Sequence, residues 1–380
     1  MDVSRPAGDK VITEEAGEAT VIYMPYEGSL KDRLFARYGD SKYRIVRKAL
    51  SFFELVMQNF SLSAIPFASI YYKAEELIKA DPSIKRVVIT ANPFVAFFFG
   101  YKLKKRFPQI QWIADYRDDW STSELTKEKG FLQNFIAHLE ASSERKWVGT
   151  ASLLTTISPY YRDKISRFTG IPGKVLLNGF TEADMEKVLP AEKQDEFVIT
   201  YNGTLYPSQN IEVFLAGFKL AADKFKGRLN FRLNFPGLAF DRSQSERVKT
   251  FMAGYEALLN ITERVPRQKV FDIQNASHAF LMVAHAGLKG IPSSKLYEYL
   301  CFRKPVIVCP DDKDIIHETL EDTGLGVFCN TPEEVEQKLT ELADDYIANG
   351  KIRMTGTQER ILSYSRKNQA QLFADMLKAL

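Results

Sequence analysis

Short apolar runs alternate with stretches of helical period along most of this chain. Arg86–Thr90 (RVVIT) reads as a buried strand bounded by Asn92-Pro93, Val95–Arg106 as a helix, and Gln111–Ala114 as the next strand. Leu153–Ile157 and Lys174–Leu177 are two further strands, with a helix at Pro159–Phe168 between them. Strand, helix, strand in this rhythm predicts parallel βαβ units.

A second series follows a break. Thr181–Glu196 is polar, rich in Glu and Lys, and contains Pro190, so it reads as a linker. Strands are then predicted at Phe197–Tyr201, Phe231–Phe235, Ala279–Ala284 and Pro305–Cys309. Helices are predicted at Ile211–Phe225, Lys269–Ala276, Ser294–Phe302 and Glu333–Asn349. The expected fold is α/β, with two Rossmann-like doubly wound domains facing across a cleft. Residues 1–185 form the N-terminal domain, 186–196 the linker and 197–359 the C-terminal domain, with a helix at about 360–380 packing back on the first. The start of the chain is different. Its first strand-like run is Thr20–Met24, with no glycine-rich turn after it. The N-terminal domain is therefore expected to be short of its first βα unit, about 30 residues. Ligands of such sheets bind at the carboxyl ends of the strands, so candidate chemistry is sought in the loops there.

Composition narrows the possibilities. The 380 residues suffice for two domains, and 45% hydrophobic with 26% charged residues is the balance of a folded chain. A net charge of +3 excludes a strongly basic nucleic-acid binder. The charge divides as +4 over residues 1–190 and −1 over the remainder. Lys31–Lys48 holds seven basic residues and runs directly into the apolar stretch SFFELVMQNF (51–60). That pattern fits either a solvated helix packed by its aromatics or a contact with an anionic membrane surface. The longest apolar run, Pro93–Tyr101, is far shorter than the ~20 residues a spanning helix needs. The N-terminal residues lack the apolar core of a signal peptide, so a cytoplasmic location is expected. Cys301, Cys309 and Cys329 have no metal-site or disulfide spacing, and His138, His278, His285 and His317 show no paired-ligand spacing. The cysteines are expected to be packing residues, and neither a metal nor a cofactor is expected.

The most informative segment is Gly290–Val306, GIPSSKLYEYLCFRKPV. Ser293 or Ser294 can cap a helix whose first turns hold Lys295 and Glu298, three apart and on one face. Unbonded backbone N–H groups at that terminus, with Lys295 beside them, make an anion site. Glu298 can accept two hydrogen bonds from a ribose diol, at about 1.5–3 kcal/mol each. Diphosphate plus ribose is a nucleotide. An ordinary capped surface helix with a Lys–Glu pair reads equally well from these residues alone.

This segment resembles the donor-binding signature of GT-B glycosyltransferases, in particular the large retaining group called family 4. Other segments resemble that family in the same order: ITANPFVAFFFGYKLKKRF (89–107), WIADYRDDWS (112–121), LLTTIS (153–158), VLLNGF (175–180), ITYNGTLYPSQNIEVFLAGF (199–218) and RVPRQKVFDIQNASHAFLMV (264–283). The resemblance spans roughly residues 86–345. It implies a nucleotide-diphosphate sugar as donor, retention of configuration, and a saccharide or lipid-linked saccharide as acceptor, in polysaccharide synthesis. It implies Glu298 against the ribose, Lys295 and the amides of Ser294 and Leu296 against the diphosphate, Gly203 and Thr204 in the turn opposite, and Val265 near the base. On the acceptor side it implies Asn92, Asp115, Arg117 and Asp118. Asp118 and His285 are the candidate catalytic residues. Asp118 reads equally as a partner of Arg117 or a helix cap, and His285 as a loop histidine.

Two positions depart from the family pattern. Gly290 stands where many members have a first glutamate, separated by seven residues from the second, here Glu298. LYPSQN follows Gly203 where many have an Arg or Lys. Two further readings of the whole chain stand beside the enzyme: a catalytically inactive scaffold of the same fold, and a two-lobed binding protein without catalysis.

Overall fold

The computed structural model describes residues 11–26, 29, 32, 44–123, 130–189 and 195–380. Lys31, Arg33, Arg37 and Lys42 of the basic stretch, and Pro190 of the linker, lie outside the described residues. The chain divides into two compact units: residues 1–156, 161–175 and 380, and residues 157–160 and 176–379.

The first unit opens with an antiparallel hairpin, β1 (Ile12–Ala16) and β2 (Ala19–Tyr23). Thr20–Met24 thus starts no βα unit. Its apolar alternation is satisfied by pairing with β1, a strand concealed in the sequence by Glu14 and Glu15. Helices α1 (Arg44–Gln58) and α2 (Ser69–Ala80) follow. Then come β3 (Arg86–Ala91), α3 (Phe97–Arg106), β4 (Gln111–Tyr116), α4 (Phe131–Val148), β5 (Leu153–Thr156), α5 (Pro159–Thr169) and β6 (Gly173–Val175). These four strands form a parallel sheet in the order β3-β4-β5-β6. Among the described residues β3 has one neighbour. Its side chains alternate between exposed and half-buried, as at a sheet edge, whereas β4 is buried almost throughout.

The second unit holds α6 (Glu182–Met185), β7 (Glu196–Thr200), α7 (Glu212–Lys224), β8 (Asn230–Phe235), α8 (Arg242–Phe251), β9 (Leu259–Ile261), α9 (Arg267–Ala276) and β10 (Ala279–Met282). It continues through α10 (Ser294–Leu300), β11 (Val306–Val308), α11 (Ile315–Asp322), β12 (Gly326–Phe328), α12 (Pro332–Asn349), α13 (Gln358–Leu362) and α14 (Arg366–Lys378). Its six strands are all parallel, in the order β9-β8-β7-β10-β11-β12. Counted within the unit, that is the doubly wound order 3-2-1-4-5-6. The order reverses between β7 and β10, so the loops after these two strands diverge and open a crevice.

Both faces of this sheet are buried, which is why its strands read as unbroken apolar runs. Leu281, Ile307 and Cys309 join the core beneath α7 and α12. Phe280, Met282, Val306 and Val308 point to the other face, with Leu296, Leu300 and Cys301. All three cysteines are buried and unpaired.

Helix α7 packs on α12 at Gly217. A Cβ there would lie 2.4 Å from the Pro332 carbonyl oxygen and 2.5 Å from Val335 Cβ. Alanine would gain about 1 kcal/mol of helix propensity, but overpacking against backbone costs about 1–3 kcal/mol. Gly217→Ala should therefore lower the midpoint of urea unfolding. An unchanged or raised midpoint would mean that the two helices do not approach this closely.

Candidate nucleotide site

Three segments build the site in the second unit: the turn after β7, the loop after β10, and the start of α10. Strand β7 ends in Tyr201, whose side chain is buried. Asn202-Gly203-Thr204 then turns sharply at Gly203, with φ +91°. A Cβ at Gly203 would point at Lys295, 3.5 Å from its Cε. The turn is fixed from two sides. The Asn202 N–H donates to Tyr299 Oη at 2.8 Å, and Tyr299 stacks on Phe280 at 4.3 Å. Gln209 accepts from the Tyr206 N–H at 2.9 Å and donates to the Val283 carbonyl at 2.5 Å, joining this turn to the end of β10.

Helix α10 begins at Ser294. Ser293 caps it, its Oγ accepting from the Lys295 N–H at 3.4 Å. Leu296, Tyr297, Tyr299 and Leu300 are buried, which turns Lys295 and Glu298 toward the crevice. The Lys295 ammonium donates to Tyr201 Oη at 2.8 Å and the Thr204 carbonyl at 3.2 Å, and lies 4.0 Å from the centre of the Tyr201 ring. Among the described residues no carboxylate lies within 4 Å of it. Burial pulls its pKa from 10.5 to about 7, with the charge of Glu298 working the other way. Burial also raises the Glu298 carboxyl, while Arg267 and Arg366 oppose that rise.

Two adjoining cavities share Asn202, Gly203 and Thr204 as a wall. One, of about 350 Å³, is lined by Lys295, Glu298, His285, Ser293 and Ser294. The other, of about 610 Å³, is lined by Val265, Val270, Leu238, Phe240, Arg242 and Arg264. The Arg264 guanidinium lies 3.6 Å from the Phe240 ring centre. A cation and a polar rim beside a larger cavity walled partly by apolar groups match a diphosphate beside a nucleoside.

The structure thus brings together Gly203, Thr204, Val265, Ser294, Lys295, Glu298 and His285. Leu296 does not join them. Its side chain is in the core and its N–H donates to the Ser293 carbonyl at 3.0 Å, so no amide is left there for an anion. His285 Nδ1 bonds Ser208 Oγ at 2.7 Å; burial, helped by the Lys295 charge, lowers its pKa. Gly290 has φ +73°, and a Cβ there would lie 2.8 Å from the Tyr160 ring and 2.9 Å from Ser158 Oγ. No glutamate fits this position.

In the first unit, Asn92, Asp115, Arg117 and Asp118 lie at the ends of β3 and β4. Asp115 is 2% exposed and accepts from Thr90 Oγ1 (2.9 Å), Thr155 Oγ1 (2.7 Å) and Arg117 Nε (2.9 Å). Its oxygens tie three strands together, so Asp115 positions Arg117 rather than lining a ligand surface. Arg117 therefore pairs with Asp115 and leaves Asp118 exposed, its pKa raised by partial burial while the Asn92 amide opposes that rise. Sequence reasoning missed Tyr201, Tyr299, Gln209 and Arg264, and also Glu144, which accepts from Tyr116 Oη (2.9 Å) and Ser121 Oγ (2.5 Å). Only Tyr201 left a signal, a tyrosine at a strand end beside an Asn-Gly turn. Among the described residues no group of three or more His, Cys, Asp or Glu is placed to hold a metal ion. No helix there is long and apolar enough to cross a membrane.

The fold defined by these units is that of the GT-B proteins. The chain is similar to the E. coli trehalose-6-phosphate protein bound with UDP-2-fluoro glucose: TM-score 0.62, 14% identity, over 100% of this chain and 91% of that one. It is similar to Anabaena HepE in complex with UDP and glucose: TM-score 0.58, 14% identity, 85% of each chain. It is also similar to sucrose-phosphate synthase from Thermosynechococcus elongatus: TM-score 0.55, 16% identity, 84% and 79%. No protein-family model and no curated protein sequence matches it.

The buried Lys295 has a measurable consequence without any ligand. Between pH 7 and 10.5 the folded chain holds fewer protons at this site than the unfolded chain, so its contribution to stability rises with pH. Below pH 7 both states are protonated and the full desolvation penalty applies. Lys295→Met should therefore be more stable than the wild type near neutral pH, by a margin that shrinks as pH rises through about 9. Urea unfolding of both proteins across this range measures the margin. A margin independent of pH would reject the lowered pKa.

Proposed function

We propose that the chain is a glycosyltransferase that takes its sugar from a nucleotide diphosphate. The observation that carries this reading is the Lys295 ammonium, recessed without an acid partner against the Gly203–Thr204 turn, at the junction of two cavities. In this reading the diphosphate lies against Lys295, Ser294 and the turn, and the ribose hydroxyls against Glu298. The base lies between Val265 and the Arg264–Phe240 pair. Of the solved proteins named above, one is in complex with UDP and glucose and another is bound with UDP-2-fluoro glucose, which supports the same reading.

Catalysis would come from charge already in place. As the sugar leaves, negative charge grows on the diphosphate, and Lys295 with the backbone donors stabilises it without reorganising. The cation would supply what a divalent metal supplies elsewhere, so we propose that no metal is needed. Attack by the acceptor hydroxyl on the face the diphosphate leaves gives retention. In this reading His285, half-buried and held by Ser208, would contact the sugar, and Asp118 of the first unit would accept the acceptor proton. The acceptor class remains a saccharide or lipid-linked saccharide, used in polysaccharide synthesis at the cytoplasmic face of a membrane. Phe53, Phe131, Leu132 and Phe135 are exposed on α1 and α4, and Phe131 is 91% exposed. The Phe52–Phe135 ring contact, at 6.3 Å, brings these two helices together. This apolar surface, with the basic residues 31–48, is the proposed membrane contact.

Calorimetry with UDP, GDP, dTDP and ADP tests the donor site. One diphosphate should bind best, and Glu298→Ala should weaken it by about 1.5–3 kcal/mol. Lys295→Ala should weaken a diphosphate much more than the matching nucleoside, and EDTA should not change either affinity. No binding to any of the four, or equal loss for nucleoside and diphosphate, would reject the assignment. Binding without sugar transfer would favour the scaffold reading.

The membrane contact has its own test. Wild type should sediment with vesicles containing anionic lipid, and Phe131→Ser with Phe135→Ser should reduce the bound fraction severalfold. Equal sedimentation of both proteins would reject this surface.

A further inference from the structure

The second unit has another cavity, of about 370 Å³, at the end of the sheet opposite the nucleotide site. Ser277 and His278, which precede β10, and Lys304 and Pro305, which precede β11, form its floor. Lys304 is 9% exposed. Its ammonium donates to the Asn275 carbonyl at 2.5 Å and the Gln274 carbonyl at 3.4 Å, in the last turn of α9. Capping a helix end in this way uses two of its three N–H groups. Among the described residues the third has no partner, and no carboxylate lies within 4 Å. Among the described residues no aspartate or glutamate lines the cavity. Burial lowers the Lys304 pKa to about 8.

His278 is 4% exposed, and its Nδ1 accepts from the Val198 N–H at 3.0 Å. That bond leaves the ring proton on Nε2, which is buried and unpartnered. Burial and the Lys304 charge hold its pKa near 4, so the ring stays a neutral donor. Arg303 and Lys351 stand exposed at the rim, and Val188, Leu189, Phe302 and Ile352 supply apolar wall. A buried cation without an acid within 4 Å lines this cavity, and the His278 Nε2–H lies buried behind its wall without an acceptor. Each is costly to leave unmatched.

We propose that this cavity is a second binding site, separate from the nucleotide site, for a small organic anion. The head is one carboxylate or phosphate monoester, bonded to Lys304 with the rim cations Arg303 and Lys351 beside it. The body is a short apolar group against Leu189 and Phe302.

Calorimetric titration with phenyl phosphate, benzoate and inorganic phosphate tests this. Phenyl phosphate or benzoate should bind the wild type below about 10 mM, and more tightly than inorganic phosphate, which has no apolar body. The tighter of the two organic probes identifies the head. Lys295→Met, altered only in the nucleotide site, should bind the same probe with unchanged affinity. Lys304→Met should lose at least about tenfold. If that variant fails to fold, the rim pair Arg303→Glu with Lys351→Glu should lose affinity likewise. No binding by either organic probe would overturn the site. So would loss in Lys295→Met with retention in Lys304→Met, because the probe would then lie in the nucleotide site.

Discussion

A positive charge held out of water with no negative partner is the constraint around which the second unit is organised. The Lys295 ammonium rests on Tyr201 Oη and the Thr204 carbonyl, two neutral acceptors that orient it without neutralising it. A carboxylate in their place would make an ordinary ion pair and leave little attraction for a ligand. A fully hydrated lysine would have lost little on burial and would gain little on binding. The intermediate arrangement needs the rest of the site. Glycine at 203 allows the left-handed backbone of the turn, Gln209 pins the turn to β10, and Tyr299 holds the Asn202 amide. The position follows from topology, because β7 and β10 are adjacent strands whose connections leave in opposite directions.

What was legible in the sequence follows the same physics. Buried parallel strands are apolar on both faces, so VIV, AFLM and FVIT were readable as strands and their order as βαβ units. The Ser-Lys-x-x-Glu spacing placed Lys295 and Glu298 on one face, and burial of Leu296 and Tyr299 between them kept them there. The hairpin Ile12–Tyr23 was half hidden, because a strand carrying two glutamates has no apolar face to detect. The side chains that fix the turn were illegible for another reason. Tyr299, Gln209 and Arg264 meet their partners 97, 74 and 24 residues away in sequence, and no local period encodes such pairings.

Asp115 and Gly290 show how a motif residue acquires its meaning only in three dimensions. The DYRDDW block suggested a row of acids facing a ligand. Asp115 instead receives three donors and fastens β3 to β4 and β5, which leaves its neighbour Asp118 as the exposed carboxylate of the pair. A buried acid held by three donors is rigid. At Gly290 the missing glutamate is a steric consequence. A left-handed backbone pressed against Tyr160 and Ser158 has no room for a Cβ.

The two lysines of the second unit are instructive together. Lys295 lies in the first turn of α10 and Lys304 just before β11; the first is half-buried and the second buried, each against carbonyl or hydroxyl oxygens with no carboxylate within 4 Å among the described residues. Each is a local loss of stability that the core on both faces of the six-stranded sheet can absorb, since an isolated buried cation costs a few kcal/mol and a packed core supplies far more. A structural role explains part of Lys304, which terminates α9, but a surface lysine would cap that helix equally well. What capping does not explain is the depth of the ammonium and, among the described residues, the absence of an acid on the cavity wall. The reasoning behind the proposal of Lys295 as a phosphate ligand at the carboxyl end of the sheet is therefore the same as that behind the proposal of Lys304 as an anion ligand at the amino end.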